Sequence, residues 1–171
     1  MSRTVSEARS LLRLAAECLE YPRAERTHTL PEALRRIELF AAFEDRLGGL
    51  TPEMRQEHYV RTFDVTPKTS LYLSVHLFGE ENFKRAELMA GFRSAYARAG
   101  RDVGPELPDH LSTVLRHNDC FDEEEWGELV RLCLSPSLPA MIRSLDTDEN
   151  PYALALEGIL GLVRQVEGVH V

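Results

Sequence analysis

Apolar residues recur at three- and four-residue spacing along most of the chain, the signature of helices that each bury one face. Val5, Ala8, Leu11, Leu12, Ala15, Cys18 and Leu19 share the first such face. Tyr21-Pro22 ends that helix, because the residue before proline avoids the α region. Thr29 and Pro31 open a second helix with Leu34, Ile37, Phe40, Ala41 and Leu47 inward, closed by Gly48-Gly49. In the third, Thr51 caps and Pro52 occupies the first helical position, with Met54, Tyr59, Val60 and Phe63 on its buried side.

Ser70 to Phe78 is rich enough in aliphatic and aromatic residues to resemble a strand. Leu71, Val75 and Phe78 keep helical spacing, however, and the pattern predicts a buried helix broken at Gly79. Phe83 to Ala99 reads as a long helix with Phe83, Ala86, Met89, Ala90, Tyr96 and Ala97 inward, stopped by Gly100. Gly100 to Pro108 is loop-like, and a short helix follows from Asp109 to about His117. Asp122-Glu123-Glu124-Glu125 has the form of a capping box, and Trp126, Leu129, Val130 and Cys133 continue its helix. Ser137 and Asn150-Pro151 are further start signals, the last opening a helix that carries Leu156, Ile159, Leu160, Val163 and Val166.

No segment combines period-2 alternation with turn dipeptides, and there is no repeat or low-complexity tract. The expected class is all-α, a single-domain bundle over residues 1–171 of about eight or nine helices. A chain of 171 residues can bury about 70% of its unfolded surface, enough for one sizeable core. Hydrophobic residues at 43% and charged residues at 28% exclude a disordered chain, and no apolar run reaches spanning length, so stable membrane insertion is not expected. The first residues are polar and carry a Glu, without the apolar core of a signal peptide. Three cysteines without a Cys-x-x-Cys pair argue against a disulfide framework or zinc knuckle, and the expected location is the cytoplasm.

Charge changes the picture in one place. Between Asp102 and Glu128 nine acidic residues face the single base Arg116, so this window carries the whole net charge of −8. Nucleic acid is an unsuitable partner for such a chain, since phosphate binding needs a basic footprint. Two readings remain for the window, a solvated face that aids solubility and a surface complementary to a basic peptide.

Catalytic chemistry is poorly represented. Glu25/His28 and Glu167/His170 have the Glu-x-x-His spacing of di-iron bundles, but one pair lies in a polar link and the other at the chain end beside Gly168. His76/Glu80 and Glu106/His110 are four apart, yet Gly79 and Pro108 interrupt them, and a hydrogen-bonded histidine is the simpler reading. There is no His-Glu-x-x-His, nucleophile elbow, phosphate-binding loop or dinucleotide fingerprint. Each cysteine falls in or beside an apolar helical pattern, as a small buried hydrophobe would. No feature supports an enzyme or a resident cofactor.

The segment Glu106-Leu107-Pro108-Asp109-His110-Leu111 has its own local logic. Proline forces Leu107 into an extended approach, Asp109 can cap the following helix, and His110 lies in its first turn. It closes an ordered series: Tyr59-x-x-x-Phe63-Asp64, Ser70-Leu71, His76-x-x-Gly79-Glu80, then Tyr96 with Gly100. Across residues 59–111, with weaker echoes at Tyr21-Pro22 and Asn150-Pro151-Tyr152-Ala153, the chain resembles the NarJ branch of the TorD/DmsD family. These are the assembly chaperones of molybdenum-containing respiratory reductases, also called nitrate reductase delta subunits.

That resemblance implies a TorD-like, all-helical, non-enzymatic protein. It would bind the N-terminal leader of the apo catalytic subunit of a respiratory nitrate reductase until the molybdenum cofactor is inserted and the subunit docks at the membrane. No cofactor stays on the chaperone. The resemblance makes Asp109 and His110 the leader-binding pair and Glu106 and Asp64 further acidic contacts. Tyr59, Phe63, Leu71, Tyr72 and Leu107 are candidate apolar contacts, with His76 in the adjacent His-x-x-Gly turn, although core packing suits several of them equally. Two departures stand out: Gly79-Glu80 leads into Glu81-Asn82-Phe83-Lys84-Arg85 rather than Ser or Thr and an Arg-rich run, and Ser112 stands where the family commonly has proline. Three alternatives remain open: a chaperone for a selenate, chlorate or dimethyl sulfide system, a helical metal-dependent protein, and an acidic adaptor whose Asp109 turn is only a helix start.

Overall fold

Local capping chemistry starts three of the helices where their side chains demand it. Thr51 Oγ1 accepts the Met54 N–H at 3.3 Å to open a helix. Asp122 and Glu125 exchange both bonds of a capping box, at 2.9 and 3.0 Å. Asn150 Oδ1 accepts the Tyr152 N–H at 3.0 Å, with Pro151 at the first helical position. In a computed structural model that describes residues 5–24, 29–79, 81–145 and 149–168, the chain is all-α.

The helices are α1 (Val5–Ala15), α2 (Glu32–Arg35), α3 (Glu38–Gly48), α4 (Pro52–Phe63), α5 (Leu73–Phe78), α6 (Asn82–Arg98), α7 (Leu111–Arg116), α8 (Glu123–Leu129), α9 (Ser135–Arg143) and α10 (Pro151–Glu167). Short 3₁₀ turns follow α1 at Ala16–Leu19 and α7 at Asn118–Cys120. The only β feature among the described residues is an isolated antiparallel bridge between Tyr72 and His110. α10 is the central element, with Tyr152, Leu156, Ile159, Val163 and Val166 all buried, and it packs against α1, α3 and α9. No described helix is long and apolar enough to cross a membrane.

Three expectations are corrected. The second helix is two, because Ile37 adopts an extended backbone (φ −99°, ψ 118°) that suits its β-branched side chain and lets Phe40, Phe43 and Leu47 turn into the core. The helix expected from Ser70 starts at Leu73, where it buries Leu73 and Ser74 while Val75 is exposed. It stops at Gly79 as expected, where φ of +56° and ψ of −120° are closed to residues with a Cβ. Ser137 starts nothing: it is buried inside a run that continues from α8 through one π turn, Val130–Leu134, into α9. Pro136 has no N–H to give the Leu132 carbonyl, so a wider turn suits this place.

Two helices bury residues other than those their apolar spacing predicts. α6 lies almost where expected, but it buries Phe92, Ala95 and Tyr96, and Phe83 is 73% exposed. Met54 of α4 also faces outward. All three described cysteines are buried and free.

Candidate functional site

Two extended strips bring the Asp109 turn against the start of α5. The Leu73 N–H donates to the Asp109 carbonyl at 3.1 Å, and the Leu111 N–H donates to the Leu71 carbonyl at 2.8 Å. Asp109 is completely buried, and its Oδ2 accepts the Ser74 N–H at 3.0 Å. The aspartate therefore caps α5, 35 residues earlier in the chain, rather than α7, whose start it precedes; this corrects the local reading. α7 begins after His110 with no side-chain cap. Asp109 Oδ1 is buried without a hydrogen-bond partner.

His110 is 9% exposed, and its Nδ1 has no partner either. Its ring meets that of Tyr72 edge-on at 5.2 Å. Burial lowers the His110 pKa from its ordinary value, against the opposing fields of Glu106, Asp109 and Glu20. Glu106 is held by the Tyr72 hydroxyl at 2.7 Å and the Leu107 N–H at 3.1 Å, both on Oε1. Partial burial would raise its pKa, but these two bonds and the field of His110 carry it below the usual carboxylate value. The Tyr72 phenol is pushed up by burial and by the carboxylate it serves.

These groups border a cleft of about 430 Å³, lined among others by Glu20, Tyr21, Tyr59, Glu106, His110 and Arg116. Tyr59 donates its hydroxyl to the Leu19 carbonyl at 3.2 Å and meets Tyr21 edge-on at 5.5 Å. Burial, with the carboxylates around it, pushes the Tyr59 phenol up to about 12. Arg116 pairs with Glu20 across the cleft. The lining balances Glu20 and Glu106 against Arg23 and Arg116, and with Arg116 on Glu20 it is Glu106 and the tyrosine rings that offer acceptors and ring surfaces to a cation or a donor-rich group.

The ten residues singled out by sequence divide accordingly. Tyr59, Glu106 and His110 line the cleft, and Tyr72 and Asp109 support it from behind. Leu107 is exposed beside it. Leu71 is a core residue, and Phe63 packs on Tyr59 and Tyr152 at 5.1 and 4.9 Å. Asp64 sits exposed at the end of α4. His76 donates from Nε2 to the Ser70 carbonyl at 2.7 Å, a bond that holds the chain entering α5. Glu20, Tyr21 and Arg116 are not among the ten; in the sequence Tyr21 reads as a helix stop and a weak family echo, and Arg116 as the lone base of the acidic window.

Much of that window is engaged within the protein. Asp119 pairs with Arg101 at 2.7 Å, and Glu125 accepts from Arg98 at 2.7 and 2.8 Å. Among the described residues no group of three His, Cys, Asp or Glu gathers as a metal site. Glu80, Glu25, His28 and His170 lie outside the described residues, and with them the three His–Glu spacings noted above that include them.

Residues 24–128 match the model of the family described as nitrate reductase delta subunit, a span that contains all ten candidates. The chain belongs to that family. It is 28% identical over 125 residues to the "Probable nitrate reductase molybdenum cofactor assembly chaperone NarJ" of Bacillus subtilis (strain 168), covering 72% of this chain and 67% of that one. It is also 31% identical over 149 residues to the "Nitrate reductase-like protein NarX" of Mycobacterium tuberculosis (strain H37Rv). That match takes in 81% of this chain but only 22% of the relative, so the chain spans about a fifth of it. The delta subunit family is one of assembly chaperones, not of enzymes.

Proposed function

We propose that this delta-family protein is a cytoplasmic assembly chaperone for a respiratory nitrate reductase. In this reading it holds the apo catalytic subunit by its N-terminal leader while the molybdenum cofactor is inserted, and a basic residue of the leader enters the cleft at His110. The observation that carries the reading is the cleft itself. Glu106, the Tyr59 ring and a buried imidazole with an unused nitrogen border one cavity within the span that matches the family, and Tyr21 and the Glu20–Arg116 pair complete its wall. A guanidinium has five donors and a flat face, so it can bond Glu106 while lying against Tyr21 or Tyr59. The rest of the leader would fold on binding, which keeps affinity useful and release possible.

Calorimetric titration with a synthetic leader of the candidate reductase tests this. Wild type should bind saturably, and His110→Ala or Glu106→Gln should weaken binding about tenfold or more, which is about 1.4 kcal/mol. Saturable binding that neither substitution weakens would move the site elsewhere. Binding only to the leaders of other molybdenum reductases would change the client, and no binding to any would refute the reading.

A further inference from the structure

Arg116 is the single base between Asp102 and Glu128, and the fold brings it to the His110 cleft rather than to the acid beside it in sequence. That acid, Asp119, lies three positions on and is taken by Arg101 at 2.7 Å, with Arg13 at 3.8 Å. Arg116 ends α7, where a cation also suits the carbonyl end of the helix. Its guanidinium pairs with Glu20, which follows the 3₁₀ turn Ala16–Leu19 on the other side of the cleft. Neither partner is enclosed: the side chains of Arg116 and Glu20 are 41% and 26% exposed.

A pair of this kind adds little to folding, because water screens it and two long side chains must be ordered to make it. It does set the charge of the cavity. Glu20 and Glu106 both border the space, and the fields of both reach Tyr59 and His110. Arg23 and Arg116 balance them; without Arg116 the lining would hold two carboxylates against one base. Arg116 thus presents to Glu20 the same group that a basic peptide would bring to the cleft, a flat guanidinium with five donors.

We propose that Arg116 is a resident competitor that sets the affinity and selectivity of this cleft, holding Glu20 until the guanidinium of a bound peptide takes that carboxylate from it. This rests on the cationic reading of the cleft given above and adds its regulation. An uncharged side chain offers Glu20 nothing in exchange for Arg116, so only a cation displaces it. Because one ion pair breaks as another forms, binding stays weaker than the new contacts alone would make it, and Arg116 retakes Glu20 as the peptide leaves.

Two probes test this on the full chain. One is the synthetic leader, read by calorimetry; the other is N-acetyl-arginine amide, read by chemical-shift titration, with the citrulline amide as its uncharged isostere. Arg116→Gln should bind the leader and the arginine amide about tenfold more tightly than wild type, which is about 1.4 kcal/mol, and should gain nothing for the citrulline amide. Arg116→Met, which keeps the stem without the charge, should do the same. Glu20→Gln breaks the same ion pair from the other side and should weaken binding about fivefold or more, and the double variant should bind no more tightly than wild type. A pair that only braced the cleft would give both single variants the same sign. The thermal midpoint of Arg116→Gln should stay within about 2 °C of wild type. Unchanged or weaker binding by Arg116→Gln and Arg116→Met, or wild-type binding by Glu20→Gln, would overturn the proposal. If the arginine amide follows these ratios while the leader binds no variant, the competitor stands and the leader reading fails. Leader binding that is indifferent to Arg116 keeps the leader reading and removes the competitor.

Discussion

Asp109 is the residue on which family resemblance and geometry make different demands, and its substitution separates them. The carboxylate is fully buried and Oδ2 accepts the Ser74 N–H, the second donor of α5. Asp109→Ala leaves that N–H buried without an acceptor, since Ser74 is also fully buried. A buried orphan of this kind costs about 1–3 kcal/mol. Loss of a helix cap costs about 0.5–2 kcal/mol. Both figures describe the same bond and do not add, so the expected loss is about 2 kcal/mol. For a chain of 171 residues that lowers the thermal midpoint by about 4–8 °C. Asp109→Asn keeps an oxygen for the N–H and should cost less than about 1 kcal/mol. Urea unfolding of the three proteins, at constant m, reads both numbers. Leader titration completes the test: Asp109→Asn should bind as wild type does, while His110→Ala should not. An Ala variant with the wild-type urea midpoint and lost leader binding would refute the capping of α5 by Asp109 and return it to the ligand-contacting surface.

Three further outcomes follow from other parts of the molecule. A Cβ at Gly158 in α10 would approach the buried Phe40 ring at 2.8 Å, so Gly158→Ala should destabilise by about 1–3 kcal/mol. At Gly161, one turn on, it would meet nothing, and the same change should stabilise by about 0.5–1 kcal/mol; a shared sign in urea unfolding would refute the packing argument. Asp122→Ala removes one side of the capping box and should cost about 1 kcal/mol, whereas an unchanged midpoint would mean that α8 does not need its cap. Burial lowers the His110 pKa, so its neutral form stabilises the fold fully above the ordinary value of 6.5, and that contribution is lost as pH falls below it toward the folded value. His110→Gln should therefore lose less urea resistance than wild type between about pH 7.5 and about pH 5.5. His117, also lowered by burial, keeps part of the dependence in the variant.

What could be read from the chain alone is what neighbouring residues decide between themselves. The caps at Thr51, Asp122 and Asn150 stand where the residues placed them, since each bond spans two or three positions and needs nothing else. The all-α class and the inward face of α10 follow from periodicity, because that helix is enclosed by α1, α3 and α9 and almost any apolar stripe on it is covered. α6 shows the limit. Its apolar residues are spread around the helix, and only the neighbours it meets decide that Phe92 and Tyr96 are buried while Phe83 is left in water. The candidate site divides the same way. Glu106 and His110 are legible as a motif, but Glu20, Tyr21, Tyr59 and Arg116 reach their cleft from other elements. Asp109 reads locally as the cap of the helix it precedes, whereas the pairing of 71–73 with 109–111 gives its carboxylate to α5. A side-chain oxygen takes whichever buried N–H lies within about 3 Å. Sequence determines which oxygens are available, and tertiary packing determines which donor arrives.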